Sequence, residues 1–196
     1  METYKCIHSR ISIREYTQKT IPKKTLLKLV KAASAAPSGL NVQPWYFLII
    51  RNQKTIKQMR NIVCDTAELT MKYPEFVKKY KSFFNAPCLI TACLNMNKRW
   101  YHLNNPSKIK NTEEVFCNPD FFSIAAAIQN ILLAAHSMDI GTCWAGPEEA
   151  YVEKFERLLN IRRPYRLVAN ITVGYYKKIP PKPPRKPIKE IYSFID

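Results

Sequence analysis

The chain has 196 residues, 46% of them hydrophobic, enough for one sizeable globular domain with a real core. No apolar run approaches the roughly eighteen residues that cross a bilayer, so no membrane partner is expected. With 31 Lys+Arg against 15 Asp+Glu the formal charge is +16, a surplus that draws anionic partners.

The basic residues are spread along the chain, and no RNP, zinc-finger or KH signature is present, so nucleic acid is not the expected partner. An acidic electron carrier is a partner that such a surface could steer. The six cysteines, Cys6, Cys64, Cys88, Cys93, Cys117 and Cys143, form no C-x-x-C pair. Buried free thiols, a reducing compartment and no metal site are the expectation. The opening METYKCIHSR has no apolar segment and no small-residue cleavage site. No signal peptide and a cytoplasmic location are therefore expected.

Residues 22–36 predict a helix, with Pro22 at a first helical position and Leu26, Leu29, Val30 and Ala33 on one face. Residues 45–50, WYFLII, predict a buried strand. Residues 53–80 predict two helices broken near Pro74, and 87–95 a second buried strand. Residues 96–118 are long and polar, a candidate lid, and carry Trp100, Tyr101 and His102. Trp100 and Tyr101 are candidate substrate-binding residues on it.

Residues 120–138 predict the central core helix, with Asp120 as N-cap and an apolar stripe through Ile124, Ile128, Ile131, Leu132 and Ala135. GTCWAG, 141–146, predicts a small-residue loop around Trp144. Residues 147–160 predict a helix opening on Pro147, and 165–176 a third strand. Five prolines between Pro180 and Pro187 exclude helix and central strand, which leaves an extended polyproline arm over 177–196. Its apolar end, Ile188, Ile191, Tyr192, Phe194 and Ile195, has nothing local to pack on. One domain spans 1–196.

Two stretches carry chemistry. In SRISIREY, an extended backbone would put Arg10, Ser12 and Arg14 on one side of Ile11 and Ile13, and two guanidiniums with a hydroxyl suit an anion. Between a helix and a strand, PSGLNVQP holds Asn41 and Gln43, whose amides offer a donor and an acceptor together to a flat heterocycle.

Taken in order, these pieces resemble the nitroreductase family of flavoenzymes. Arg10, Ser12 and Arg14 match its opening motif, with Ile11 where the family has a second basic residue. Pro37, Ser38, Asn41, Gln43, Pro44 and Trp45 match the segment before its first core strand. DFFSIAAAIQNILLAAHSMDIGTCWAG is similar to its central helix and flavin-facing loop, and VANITVGYYKKIPPKPPRKPIKEI to its last strand and tail.

The resemblance implies an α+β fold: a central, mostly antiparallel sheet flanked by helices, with a C-terminal arm exchanged between subunits of a homodimer. It implies non-covalent FMN. Arg10, Arg14 and Arg185, with Ile11 and Ser12, would lie at the phosphate. Pro37, Ser38, Gly39, Asn41 and Gln43 would reach the flavin held mainly by the other subunit, and Cys143, Trp144, Ala145 and Gly146 would lie near the ring. The implied activity is an FMN-dependent, ping-pong transfer of electrons from NAD(P)H to a small electron-poor acceptor such as a nitroaromatic or quinone. No side chain is singled out as catalytic. Reductive dehalogenation or flavin breakdown is the alternative within the family. A non-catalytic basic protein, nucleic-acid-binding or structural, is the alternative outside it.

Overall fold

The computed structural model describes residues 1–70, 85–98, 119–146 and 149–195. The expected helix break near Pro74, the residues Trp100, Tyr101 and His102, Cys117 and Pro147 lie outside the described residues.

Four strands form one antiparallel sheet: β1 (Trp45–Ile50), β2 (Cys88–Asn95), β3 (Gly141–Ala145) and β4 (Tyr165–Gly174), in the order β1-β2-β4-β3. Five helices accompany it among the described residues: α1 (Thr3–Ser9), α2 (Lys23–Ser34), α3 (Gln53–Thr70), α4 (Pro119–Ser137) and α5 (Glu149–Leu158). This is the expected α+β arrangement.

Every residue of β2 is buried, because both faces of the sheet are covered. Cys88, Ile90, Ala92 and Leu94 of β2, with Ala169, Ile171 and Val173 of β4, pack against α2 and α4. Leu89, Cys143, Ala145 and Leu167 point the other way, into a second cluster with Ile56, Met59 and Val63 of α3 and Tyr151 and Phe155 of α5. The period-two alternation of the strands thus divides the core into two layers. The α2–α4 pair is tied by Asn130 Nδ2, which donates to the Ala32 carbonyl at 3.1 Å. Cys6, Cys88, Cys93 and Cys143 are buried free thiols. Burial pushes the Cys88 and Cys93 thiols up to about 12, so neither is a thiolate near neutral pH.

Several local expectations are corrected. The loop predicted at 141–146 is an edge strand over Gly141–Ala145, paired residue by residue with β4 from Gly174 to Asn170. Asp120 is not an N-cap: it sits buried inside the first turn of α4, which opens at Pro119. Pro22 caps α2 from outside it. A short helix, α1, forms where none was predicted, because the Glu2 carboxylate accepts from Tyr4 N at 2.8 Å and Lys5 N at 2.9 Å. The arm is free of helix and strand over 179–187, and from Pro181 to Ile195 every residue is exposed. Its first part lies beside its own N-terminal segment, with Lys182 Nζ donating to the His8 carbonyl.

Two glycines make room for that segment. Gly141 and Gly174 face each other across β3 and β4. A Cβ at Gly141 would meet Ile13 and Tyr176 at 2.8 Å, and one at Gly174 would meet Pro87 and Tyr16 at 2.7 Å. Gly141→Ala is expected to cost about 1–3 kcal/mol through overpacking, a fall of roughly 2–12 °C in melting temperature. Gly146→Ala, with nothing within 4 Å of the added carbon, should leave it unchanged. Calorimetry without added flavin checks both, and equal melting temperatures for the two variants would contradict this packing.

Candidate cofactor site

The N-terminal motif is positioned by β3. Leaving α1 at Arg10, the chain runs extended. Ser12 forms a parallel bridge with Thr142, and Ile13 N donates to the Thr142 carbonyl at 2.9 Å. Ile13 is buried, while Ser12 and Arg14 on either side of it remain partly exposed. The alternation read from the sequence holds for Ser12, Ile13 and Arg14, but does not bring Arg10 to the same cavity. Tyr16 locks the segment down. Its hydroxyl donates to the Ile13 carbonyl and shares a 2.6 Å hydrogen bond with Thr172 Oγ1. Burial raises the phenol pKa far above its ordinary value, so the group stays neutral.

Ser12 and Arg14 open onto a cavity of about 370 Å³, lined also by Ile13 and Glu15 and by Lys178, Pro180 and Pro181 of the arm. Lys178 lies within the tail stretch quoted above but is not singled out there; it arrives because the arm begins beside the N-terminal segment. Arg10 is not in the cavity lining. It caps the end of α1 near His136, whose ring shares a 2.8 Å hydrogen bond with Ser9 Oγ. Burial and the Arg10 charge hold the His136 pKa below its ordinary value. Ile11 is partly exposed, and Arg185 stands on the exposed stretch of the arm.

The residues expected beside a flat ring divide by strand alternation. Cys143 and Ala145 bury their side chains against α3 and α5. Trp144 is 41% exposed, and Gly146 is exposed at the strand's end. As an edge strand, β3 has no further strand beside it apart from the single bridge at Ser12, among the described residues.

Asn41 and Gln43 occupy an unusual turn. Gly39–Asn41 is a single 3₁₀ turn, and Leu40, Asn41 and Gln43 have φ of 50°, 55° and 49°. Three non-glycine residues in the left-handed region within four positions is a strained backbone. Side chains hold it: Gln43 N donates to Ser38 Oγ at 3.1 Å, and Gln43 Nε2 donates to Asn41 Oδ1 at 3.1 Å. Pro37, Asn41 and Gln43 are exposed, and Ser38 and Gly39 partly so. Pro44 is buried, and its carbonyl accepts from Asn95 N at 2.7 Å, which anchors the turn to the end of β2.

These two polar groups stand at opposite ends of the sheet. Ser12 bridges Thr142, which pairs with Val173, whereas the turn leads into Trp45, which pairs with Leu94 and through it Arg166. Val173 and Arg166 are seven steps apart on β4, about 23 Å at ~3.3 Å per residue.

An α+β sheet layered by helices on both faces, with basic side chains beside an edge strand, has clear relatives. The chain belongs to the nitroreductase family, whose model matches residues 7–175. It is 28% identical over 179 residues to a protein of Methanothermobacter thermautotrophicus provisionally named NADH dehydrogenase/NAD(P)H nitroreductase, covering 89% of this chain and 78% of that one. It is 26% identical over 196 residues to the iodotyrosine deiodinase of Thermotoga neapolitana, covering 97% of each chain. A nitroreductase with bound FMN from Desulfitobacterium hafniense shares the fold with a TM-score of 0.76, 20% identity and full coverage of both chains.

The strained turn makes a direct prediction. Leu40 is exposed, so glycine there loses little packing and removes the left-handed penalty of ~1–2 kcal/mol, part of which the looser unfolded chain takes back. Leu40→Gly should raise stability by about 0.5–1 kcal/mol in urea unfolding, and Leu40→Ala should not. A loss of stability in the glycine variant would contradict the left-handed geometry.

Proposed function

We propose that this member of the family is an FMN-dependent oxidoreductase that takes electrons from a nicotinamide donor and passes them to a small electron-poor acceptor, such as a nitroaromatic or quinone. The observation that carries the reading is the convergence of Ser12, Arg14 and Lys178, against the one carboxylate of Glu15, on one cavity beside the edge strand β3. Two cations and a hydroxyl are the donor set that a phosphate monoester needs. FMN, when bound, supplies the relay that accepts electrons from the donor and returns them to the acceptor.

The chain's own residues would hold and orient it. Arg14 offers forked donors to the phosphate and Lys178 a point charge, with Ser12 adding a neutral hydrogen bond. Arg10 and Arg185 would add longer-range attraction. The open side of β3 leaves Trp144 and the adjoining backbone free to lie against a ring. Asn41 and Gln43 lead into a strand whose first row lies about 23 Å along the sheet from the row of Ser12, at its opposite end. Each flavin would therefore be built by the N-terminal segment of one subunit and the Pro37–Gln43 turn of another, in a homodimer. Ile191, Phe194 and Ile195 support that assembly, being 60%, 82% and 97% exposed on an arm that leads away from its own core.

No side chain in this arrangement is proposed as an acid or base. His136 is held neutral near pH 7 by burial and Arg10, with its ring engaged by Ser9. A second reading, reductive removal of a halide from an aromatic ring by the same cofactor, draws support from the full-length similarity to an iodotyrosine deiodinase.

The purified protein should be yellow or take up added FMN, and NADPH or NADH should bleach the flavin band under anaerobic conditions. Arg14→Ala should weaken FMN binding roughly ten- to a hundredfold, from loss of a charge-assisted contact, and Lys178→Ala less so. A protein that refuses FMN, or titration curves unchanged in both variants, would refute the reading.

A further inference from the structure

A second concave surface lies at the other end of β4. A cavity of about 450 Å³ is lined there by Arg157, Arg162, Arg163 and Arg166, together with Glu153, Glu156 and Asn160. Only ten of the 31 basic residues in the chain are arginines, and four of them fall within residues 157–166. Among the described residues no lysine lines the cavity. A surface made basic by general composition would carry lysines in proportion. Arginine alone supplies a planar fork that meets a phosphate through two parallel hydrogen bonds.

The two carboxylates do not satisfy this cluster. Glu156 Oε1 is committed, accepting from Arg166 Nε at 2.7 Å and from Leu167 N at 2.9 Å. Glu153 meets Arg157 at 3.5 Å, with both side chains open to water at 74% and 78% exposure, a weak contact. Arg162 Nε donates to Asn160 Oδ1 at 2.9 Å, which orients the guanidinium and leaves its two terminal nitrogens for another acceptor. Neither Arg162 nor Arg163 forms an ion pair among the described residues.

The position matters as much as the charge. Arg166, Leu94 and Trp45 lie in one row across the sheet, two strand spacings or about 10 Å from end to end. The Pro164 carbonyl accepts from Met96 N at 2.8 Å, one residue along from the Asn95 N that holds Pro44. The Tyr46 and Tyr165 rings touch with centroids 5.0 Å apart. The arginine cavity and the Pro37–Gln43 turn thus share one end of the sheet.

We propose that this cavity binds the phosphates of the nicotinamide donor, and that Arg162 and Arg163 select NADPH over NADH through the 2′-phosphate. The inference rests on the oxidoreductase reading and names the donor for it. A dianionic 2′-phosphate matches the two uncommitted guanidiniums, and the 2′-hydroxyl of NADH offers them no charge.

The test is calorimetric titration of the full-length, FMN-saturated protein with NADP⁺ and with NAD⁺ at 0.15 M ionic strength, near which diffuse surface attraction is screened beyond about 8 Å. The wild-type protein should bind NADP⁺ roughly tenfold more tightly than NAD⁺, and an Arg162→Ala/Arg163→Ala variant should lose that preference. Melting temperature and FMN affinity should stay unchanged in the variant. Equal affinity of the wild-type protein for the two dinucleotides, or an equal loss for both in the variant, overturns the proposal. FMN titration of the same samples reads the oxidoreductase assignment separately, so selective NADP⁺ binding without FMN binding would defeat that assignment alone.

Discussion

With no side chain at Gly141 or Gly174, residues 11–16 can lie directly against the end of the sheet, where a single methyl would come within 2.8 Å of Ile13 or Tyr16. From that contact follow the Ser12–Thr142 bridge, the outward aim of Ser12 and Arg14, and the Tyr16–Thr172 hydrogen bond. The arm leaves β4 immediately after Gly174, so it begins beside the same segment and brings Lys178 to it. A charged pocket thus comes from residues more than 160 positions apart because two glycines permit one close approach.

The antiparallel register then separates the chemistry. The strand that starts after the Pro37–Gln43 turn runs so that its first residue pairs with Leu94, at the end of the sheet away from Thr142. No side-chain rearrangement removes a separation built into backbone pairing. Under the proposed function, two chains would each supply one end of a flavin site. The strained turn fits this picture, since a left-handed run of Leu40, Asn41 and Gln43 is costly unless it presents its amides to something. The exposed apolar tail is a surface that another copy would cover under the same proposal.

Much of this was legible in the sequence. β2, α2 and α4 follow from apolar periodicity, because long one-faced stripes and unbroken apolar runs have few other uses; β1 was legible as a strand, but it is a half-exposed edge strand and not the buried one expected, since its apolar run faces solvent at Tyr46. The alternation of Arg10, Ser12 and Arg14 around isoleucines predicted an extended segment, and that segment exists. β3 was not legible. Its alternation of Thr142 and Trp144 with Cys143 and Ala145 was present, but Gly141 and Gly146 masked it as a loop. α1 is short, and its only signal was the Glu2 cap. Lys178 could not be found from spacing, since only tertiary packing brings the arm to Arg14. Arg10 and Arg185 matched motifs, yet neither lines the cavity, which shows that motif membership does not by itself fix a side chain's position. The arginine cavity escaped notice because four arginines dispersed among other residue types form no motif until a helix end and a strand start bring them together.

The claim on which the account turns is that one flavin is held by two chains. Subunit mixing tests it. Arg14→Ala alone and an Asn41→Ala/Gln43→Ala variant alone should each bind FMN poorly. When the two are unfolded together and refolded as a mixture, half of the dimers at random pairing should be mixed, each with one site free of substitutions and one carrying all of them. The account predicts that tight FMN binding returns in the mixture, at about one site per mixed dimer. A mixture that binds FMN no better than the separate variants would contradict it.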